Sequence, residues 1–244
     1  MSLVVEAGRA LCWLSESVGW LFGRQTAAQI STFKKVYTPK YFDVTDLTAL
    51  DMLIDRDPFI TLLSTNDKGE MLISHLPVIY TREGDKVVLE GHWAKGNPQG
   101  RADGAKAVVI VRGPHAYISA AWYPDKVAMN RVPTWNYAVA HLNGTLHVLN
   151  DDESKGSIVS RLSDYFEKTV ESDWIFEHDN PGHTNQLRGI VGFRFEVDRI
   201  DMKFKLNQNK ITAVESIAQG LDARGEPAQK EIASLMREYA QKRS

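Results

Sequence analysis

The chain is short of the features that usually assign a protein to a class. It has a single cysteine, Cys12, so no intrachain disulfide can form, and a reducing, cytoplasmic setting is the expectation. No run of 18 apolar residues occurs, which leaves nothing long enough to cross a bilayer as a helix. Charge of one sign is also missing. The 29 basic and 31 acidic residues give a formal charge of −2, so any contact with DNA must come from a local patch. The chain has no HExxH and no Cys/His cluster at ligand spacing, and neither His141 with His147 nor His178 with His183 makes a recognised ligand pair. The missing G-x-S-x-G argues against a nucleophile elbow, and the missing G-x-G-x-x-G against a dinucleotide fold.

What is present reads as an ordinary globular protein: 244 residues, 43% hydrophobic and 25% charged. Residues 1–35 stand apart. Leu3 to Phe22 is moderately apolar, but Glu6, Arg9 and Glu16 interrupt it and no basic start precedes it, unlike a secretory signal. Leu11, Leu14, Val18, Leu21 and Phe22 could share one helix face. Two readings stay open, a docked helix or a non-native extension, with the native start near Val36. The domain expected is 36–244.

Within it, Thr45–Arg56 has helical spacing (Leu47, Leu50, Leu53, Ile54), with Thr45 or Asp43 as cap, and Asp57-Pro58 ends it. Phe59–Thr65 and Met71–Tyr80 read as strands around an Asn66–Gly69 hairpin turn, and Arg82–Asp85 turns into a strand at Lys86–His92. Ala107–Val111 reads as a central strand. Trp135–Leu149 reads as a long strand broken at Asn143-Gly144. Asp151-Asp152 caps a helix, and Glu177–Thr184 is a polar loop. Phe193, Phe195 and Val197 alternate, then Ile200, Met202 and Phe204 resume out of phase, as a β-bulge would produce. Helices are expected at Ala213–Leu221 and Pro227–Lys242. The fold class expected is mainly β (α+β), a small barrel with peripheral helices.

Four stretches could carry chemistry. Gly91-His92-Trp93-Ala94-Lys95-Gly96-Asn97-Pro98-Gln99 follows a strand and starts a helical turn, where a cation, an imidazole and free amides could cradle phosphate; a solvated loop is the ordinary alternative. Gly113–Ser119 running into Trp122-Tyr123, and Val132–Tyr137 with Trp135, gather large aromatics suited to a flat ring, or equally to a core or interface. Lys203–Lys210 ends the last strand with three lysines, which solvation alone would explain.

Taken in order, these motifs resemble the PaiB family of the FMN-binding split-barrel superfamily. The landmarks are Tyr37–Phe42, Ser74-His75-Leu76-Pro77, Gly91-His92 with Ala94-Lys95 and Asn97-Pro98-Gln99, Gly113–Ser119, Trp122-Tyr123, Val132–Tyr137, Gly189–Phe193 and Lys203–Asn209. The resemblance runs from Val36 to the C-terminus. The extension lies outside the family pattern, and Ala120-Ala121 stands where a proline often follows the serine.

The resemblance implies a split β-barrel of about six antiparallel strands that dimerises with flavin at the interface. It implies that FMN lies along Met71–Val78, with Ser74, His75, Leu76 and Pro77 at the ring edge. His92, Trp93, Ala94, Lys95, Asn97 and Pro98 would then hold the phosphate, and Trp135 and Tyr137 would close the site from either subunit. The function implied is an FMN-binding negative regulator of transcription. The alternative is an FMN-dependent oxidoreductase; haem binding and a vestigial site are further readings. DNA contact would fall to Lys230, Arg237, Lys242 and Arg243, which a solvated helix face also explains.

Overall fold

The computed structural model describes residues 34–242. The readings made on Cys12 and on the helix through Leu11 and Phe22 lie outside the described residues. In chain order the elements are β1 (Asp43–Val44), α1 (Thr48–Arg56), β2 (Phe59–Thr65), β3 (Met71–Pro77), β4 (Ile79–Glu83), β5 (Lys86–Ala94), β6 (Lys106–Ile118), β7 (Thr134–Leu149), α2 (Asp152–Thr169), α3 (Pro181–Thr184), β8 (Ile190–Lys205), α4 (Val214–Asp222) and α5 (Pro227–Gln241).

The strands form one antiparallel sheet in the order β3-β2-β6-β7-β8-β5-β4, with β1 added to β8. The two ends of that path, β3 and β4, are consecutive in the chain, with Val78 alone between them. A single-residue link between opposite edges forces the sheet to curl round on itself. The curl is not sealed by a ladder, so the result is a split barrel of eight strands rather than about six. A Cβ on Gly91 of β5 would lie 3.1 Å from the Pro77 carbonyl oxygen of β3, which shows how near the unpaired edge comes.

Several expectations need correcting. The Met71–Tyr80 strand is two strands, parted where the Val78 amide turns away to the Pro58 carbonyl. The β7 strand is unbroken at Asn143-Gly144; Gly144 instead admits the β8 backbone, since a Cβ there would meet the Glu196 carbonyl oxygen at 2.0 Å. The phase shift in β8 falls where expected: Gly144 pairs with Val197 and Asn143 with Arg199, leaving Asp198 as the extra residue. The first helix starts at Thr48 with Leu47 at the cap position and no side-chain cap bond, so neither Thr45 nor Asp43 caps it; the Thr48 amide donates to the Asp46 carboxylate just before. The polar loop contains α3, capped by Asn180.

Inward side chains fill the barrel, among them Leu62, Leu89, Val109, Leu142, Phe193 and Phe195, and residues of α1, α4 and α5 join the same core. Helix α2 packs against β4, β5 and β8. The outward face of β2 and β3 stays apolar and open, with Phe59, Met71 and Ile73 between 55% and 60% exposed.

Candidate functional site

Strand β3 directs its side chains alternately. Ser74 and Leu76 are buried, while His75 is exposed and its Nδ1 lies 3.0 Å from the Thr61 Oγ1. Ser74 Oγ accepts a 2.9 Å hydrogen bond from Asn97 Nδ2, so the β3 edge is tied to the turn after β5. Asn97 also caps the 3-10 turn Pro98–Arg101, its Oδ1 accepting from the Gln99 amide. Gln99 is fully buried, and its Nε2 donates to Ser64 Oγ at 3.0 Å, anchoring the turn to β2.

That turn is cationic but not rich in free amides. Pro98 has no N–H, the Gln99 amide is taken by Asn97, and the Gly100 amide donates to the Asn97 carbonyl. The expected cradle of helix-start amides is therefore already consumed. What remains is side-chain charge. Lys95 is exposed, and its amide donates to the Gly189 carbonyl, which sets Arg188 beside it in the backbone. Arg101 lies at the end of the turn. Lys95, Arg101 and Arg188 are all exposed, and none has a carboxylate within ion-pair distance among the described residues. Three uncompensated cations beside a rigid turn suit a dianionic phosphate. Arg101 and Arg188 are additions to the sequence reading, which had no motif to mark them.

On β5, His92 is half-buried, its Nδ1 has no partner, and burial pushes its pKa below the ordinary imidazole value. Trp93 points the other way, into the core, with its ring centroid 4.5 Å from that of Phe193. Ala94 and Pro98 are exposed on the rim.

Trp135 and Tyr137 lie elsewhere. Tyr137 pairs with Lys205 at the end of β8, whereas Ala94, next to Lys95, pairs with Ile190 at its start. Fifteen residue steps separate these positions, roughly 50 Å of strand path at about 3.3 Å each. One chain thus brings Ser74–Pro77 and Asn97 together but holds Trp135 and Tyr137 at the far end. Trp135 is 53% exposed and meets Tyr117 edge-on at 6.0 Å. A cleft of about 230 Å³ lies between Thr81, Glu83, Lys86, Val88, Glu90 and Arg194 and includes none of these residues. Its Glu90 is already paired with Arg161 and Arg194, so the cleft has the character of a structural ion network. Among the described residues no group of three His, Cys, Asp or Glu could hold a metal ion, and no helix is long and apolar enough to cross a membrane.

An open antiparallel sheet, curled round but unsealed between β3 and β4, defines a split-barrel protein. Residues 36–199 match the family described as "Putative FMN-binding domain", and the chain belongs to that family. Its cofactor class is a flavin. The chain is 33% identical to the Bacillus subtilis protein named protease synthase and sporulation protein PAI 2, over 85% of this chain and 99% of that protein. It is 28% identical to a fungal protein, AN0679 of Emericella nidulans, over 79% of this chain and 92% of the other. Among solved structures, the FAD and haem binding protein of Mycobacterium smegmatis aligns at 24% identity with a TM-score of 0.47, covering 67% of this chain and 73% of that one.

Proposed function

We propose that this chain is a homodimeric FMN-binding protein of the PaiB type whose flavin sites form between subunits and whose role is regulatory. The observation that carries the proposal is the separation of two half-sites, the cationic turn and the aromatic corner, to opposite ends of β8. A second copy turned end for end would bring one subunit's Trp135 and Tyr137 to the other's Lys95. The open apolar face with Phe59, Met71 and Ile73 supports such a contact, because an exposed apolar patch favours burial against a partner.

Bound FMN would supply reversible electron and hydride chemistry. The chain's own residues bind and orient. Lys95, Arg101 and Arg188 take the phosphate, and Asn97 fixes the turn against Ser74. His75 and His92 border the ring, and Trp135 and Tyr137 exclude water from it. Direct contact of α5 with DNA is poorly supported. Arg237 is committed to Glu215 and Asp222, and Lys242 to Glu238. The regulatory role implied by the resemblance to the PaiB family is therefore carried over as an indirect one, acting through the flavin site.

The test is an FMN titration followed by flavin fluorescence, run beside sedimentation velocity. Saturation near one FMN per subunit on a dimer supports the reading. FMN bound tightly by a monomer would remove the shared site, and no binding at high micromolar FMN would remove the cofactor.

A further inference from the structure

The corner that holds Trp135 carries more charge than a flavin ring requires. Strand register places three cross-strand rows side by side on the outward face: Tyr117 with Trp135; His115, Tyr137 and Lys205; and Arg112, Val139 and Lys203. Paired side chains in such rows sit about 5 Å apart at Cβ. His115 lies 6.0 Å from the Trp135 ring, and Lys203 Nζ is 5.6 Å from the Tyr37 centroid and 5.8 Å from that of Tyr137. Lys210 Nζ is 5.1 Å from the Tyr123 centroid, at the edge of the same corner.

Arg112, Lys203, Lys205 and Lys210 have no carboxylate within ion-pair distance among the described residues. Asp125 is engaged with Arg131 and Asp201 with Arg199, while Asp43 stands opposite Lys203 in the β1–β8 ladder with its carboxylate 3.8 Å from Lys35. Lys205 is half-buried, and its Nζ donates to Thr134 Oγ1 at 2.6 Å. Burial disfavours its charged form first, and Lys210 and Lys203 add to that. Arg112, Lys203, Lys205 and Lys210 outnumber the one carboxylate, Asp43, that faces them in the ladder, and such an excess of like charge raises the free energy of the free protein, which an anion bound among them relieves. Exposed Tyr117 and Trp135 offer an apolar, stackable surface next to those ammonium groups.

We infer that the β6–β7–β8 corner binds a small aromatic anion, a planar ring bearing a carboxylate or phosphate, with Lys203 and Lys205 on the anionic group and Trp135 and Tyr117 against the ring. Its placement beside the isoalloxazine rests on the proposed shared flavin site. The binding itself does not. Such a ligand gives the protein a small-molecule signal to read next to its flavin.

The experiment uses the full chain, with and without FMN, and follows tryptophan fluorescence and calorimetry on adding phenyl phosphate or benzoate, with benzamide as uncharged control. Saturable binding of either anion is expected, with benzamide at least tenfold weaker. Lys203→Met and Lys205→Met should each weaken the anion tenfold or more while changing FMN affinity less than twofold. If Lys205→Met fails to fold, Lys203→Met decides. Neither anion binding while FMN titrates normally overturns the inference and leaves the flavin reading standing. Anion binding that depends on the lysines in a chain that takes no FMN supports the inference and removes the flavin reading. Loss of FMN in Lys205→Met, with Lys95→Ala harmless, would show that the corner holds the flavin's own phosphate, and the inference falls.

Discussion

Ser74 and Asn97 are joined by a 2.9 Å hydrogen bond across the gap where the sheet fails to close. No ladder pairs β3 with β5, so this side-chain bond and the Gln99 Nε2, which donates to the Leu72 carbonyl of β3 at 3.3 Å as well as to Ser64 of β2, hold the cationic turn to the β3 edge. Ser74 is buried and Asn97 partly so, which makes an unpaired partner costly. Ser74→Ala and Asn97→Ala should therefore be coupled. In a double-mutant cycle by urea unfolding the interaction should be about 0.5–1.5 kcal/mol. Strict additivity would mean that the turn is held by Gln99 alone.

Lys95→Ala should weaken FMN by about 1.5–3 kcal/mol, on the order of tenfold to 150-fold, through loss of a charge-assisted contact. Lys95 is exposed, so folding should be unaffected and the effect should appear in the titration alone. Arg101→Ala and Arg188→Ala should each add a smaller loss. Unchanged affinity in all three variants would remove the phosphate from this turn.

These residues show how far the sequence was legible. The turns at Asn66–Gly69 and Gly84, the cap at Asp151 and the bulge in β8 were readable because local chemistry dictates each of them: an Asn side chain, a glycine at positive φ, a carboxylate on an amide, a break in alternation. The division of β3 from β4 was not readable. Met71–Tyr80 is apolar on both faces, since Ile73 looks outward while Leu76 looks in, and that erases the period-two signal. Pro77 was the one clue, because proline seldom sits inside a paired strand. For the same reason the inward direction of Ser74, Leu76 and Trp93 is not visible in the sequence. In sequence Lys205 reads only as a strand-end charge. Its position beside Tyr137 and His115 comes from register, which no single stretch of sequence contains.

His92 should give stability a pH dependence. Burial holds its folded-state pKa below the unfolded value of 6.5, so the unfolded chain takes up the proton first as pH falls. Its contribution is complete above about pH 6.5 and shrinks as pH drops from there towards the lowered folded value. His141 is shifted the same way by burial, with Asp201 opposing. The urea midpoint of the wild type should fall between pH 7.5 and 5.5 by more than that of His92→Gln. Equal falls would assign the dependence to other groups.

Gly144 is the position where the fold should be least forgiving. It faces the bulge at Val197–Arg199, and an added Cβ would meet the Glu196 carbonyl oxygen at 2.0 Å and the Phe195 ring at 2.9 Å. A side-chain clash can be relieved by rotation, but a backbone carbonyl in a ladder can move only if the β7–β8 pairing shifts with it. Gly144→Ala should cost about 3 kcal/mol, at the upper end of overpacking penalties. The same strand carries Tyr137 and Trp135, so the variant should also loosen the aromatic corner without touching Lys95. The measurement is a urea unfolding curve beside an FMN titration of the folded fraction. A lowered midpoint with the cationic turn still competent would show that β7–β8 register, set at one glycine, positions the far half of the site. An unchanged midpoint would mean that the bulge absorbs the methyl group, and the close approach at Gly144 would then have no energetic weight.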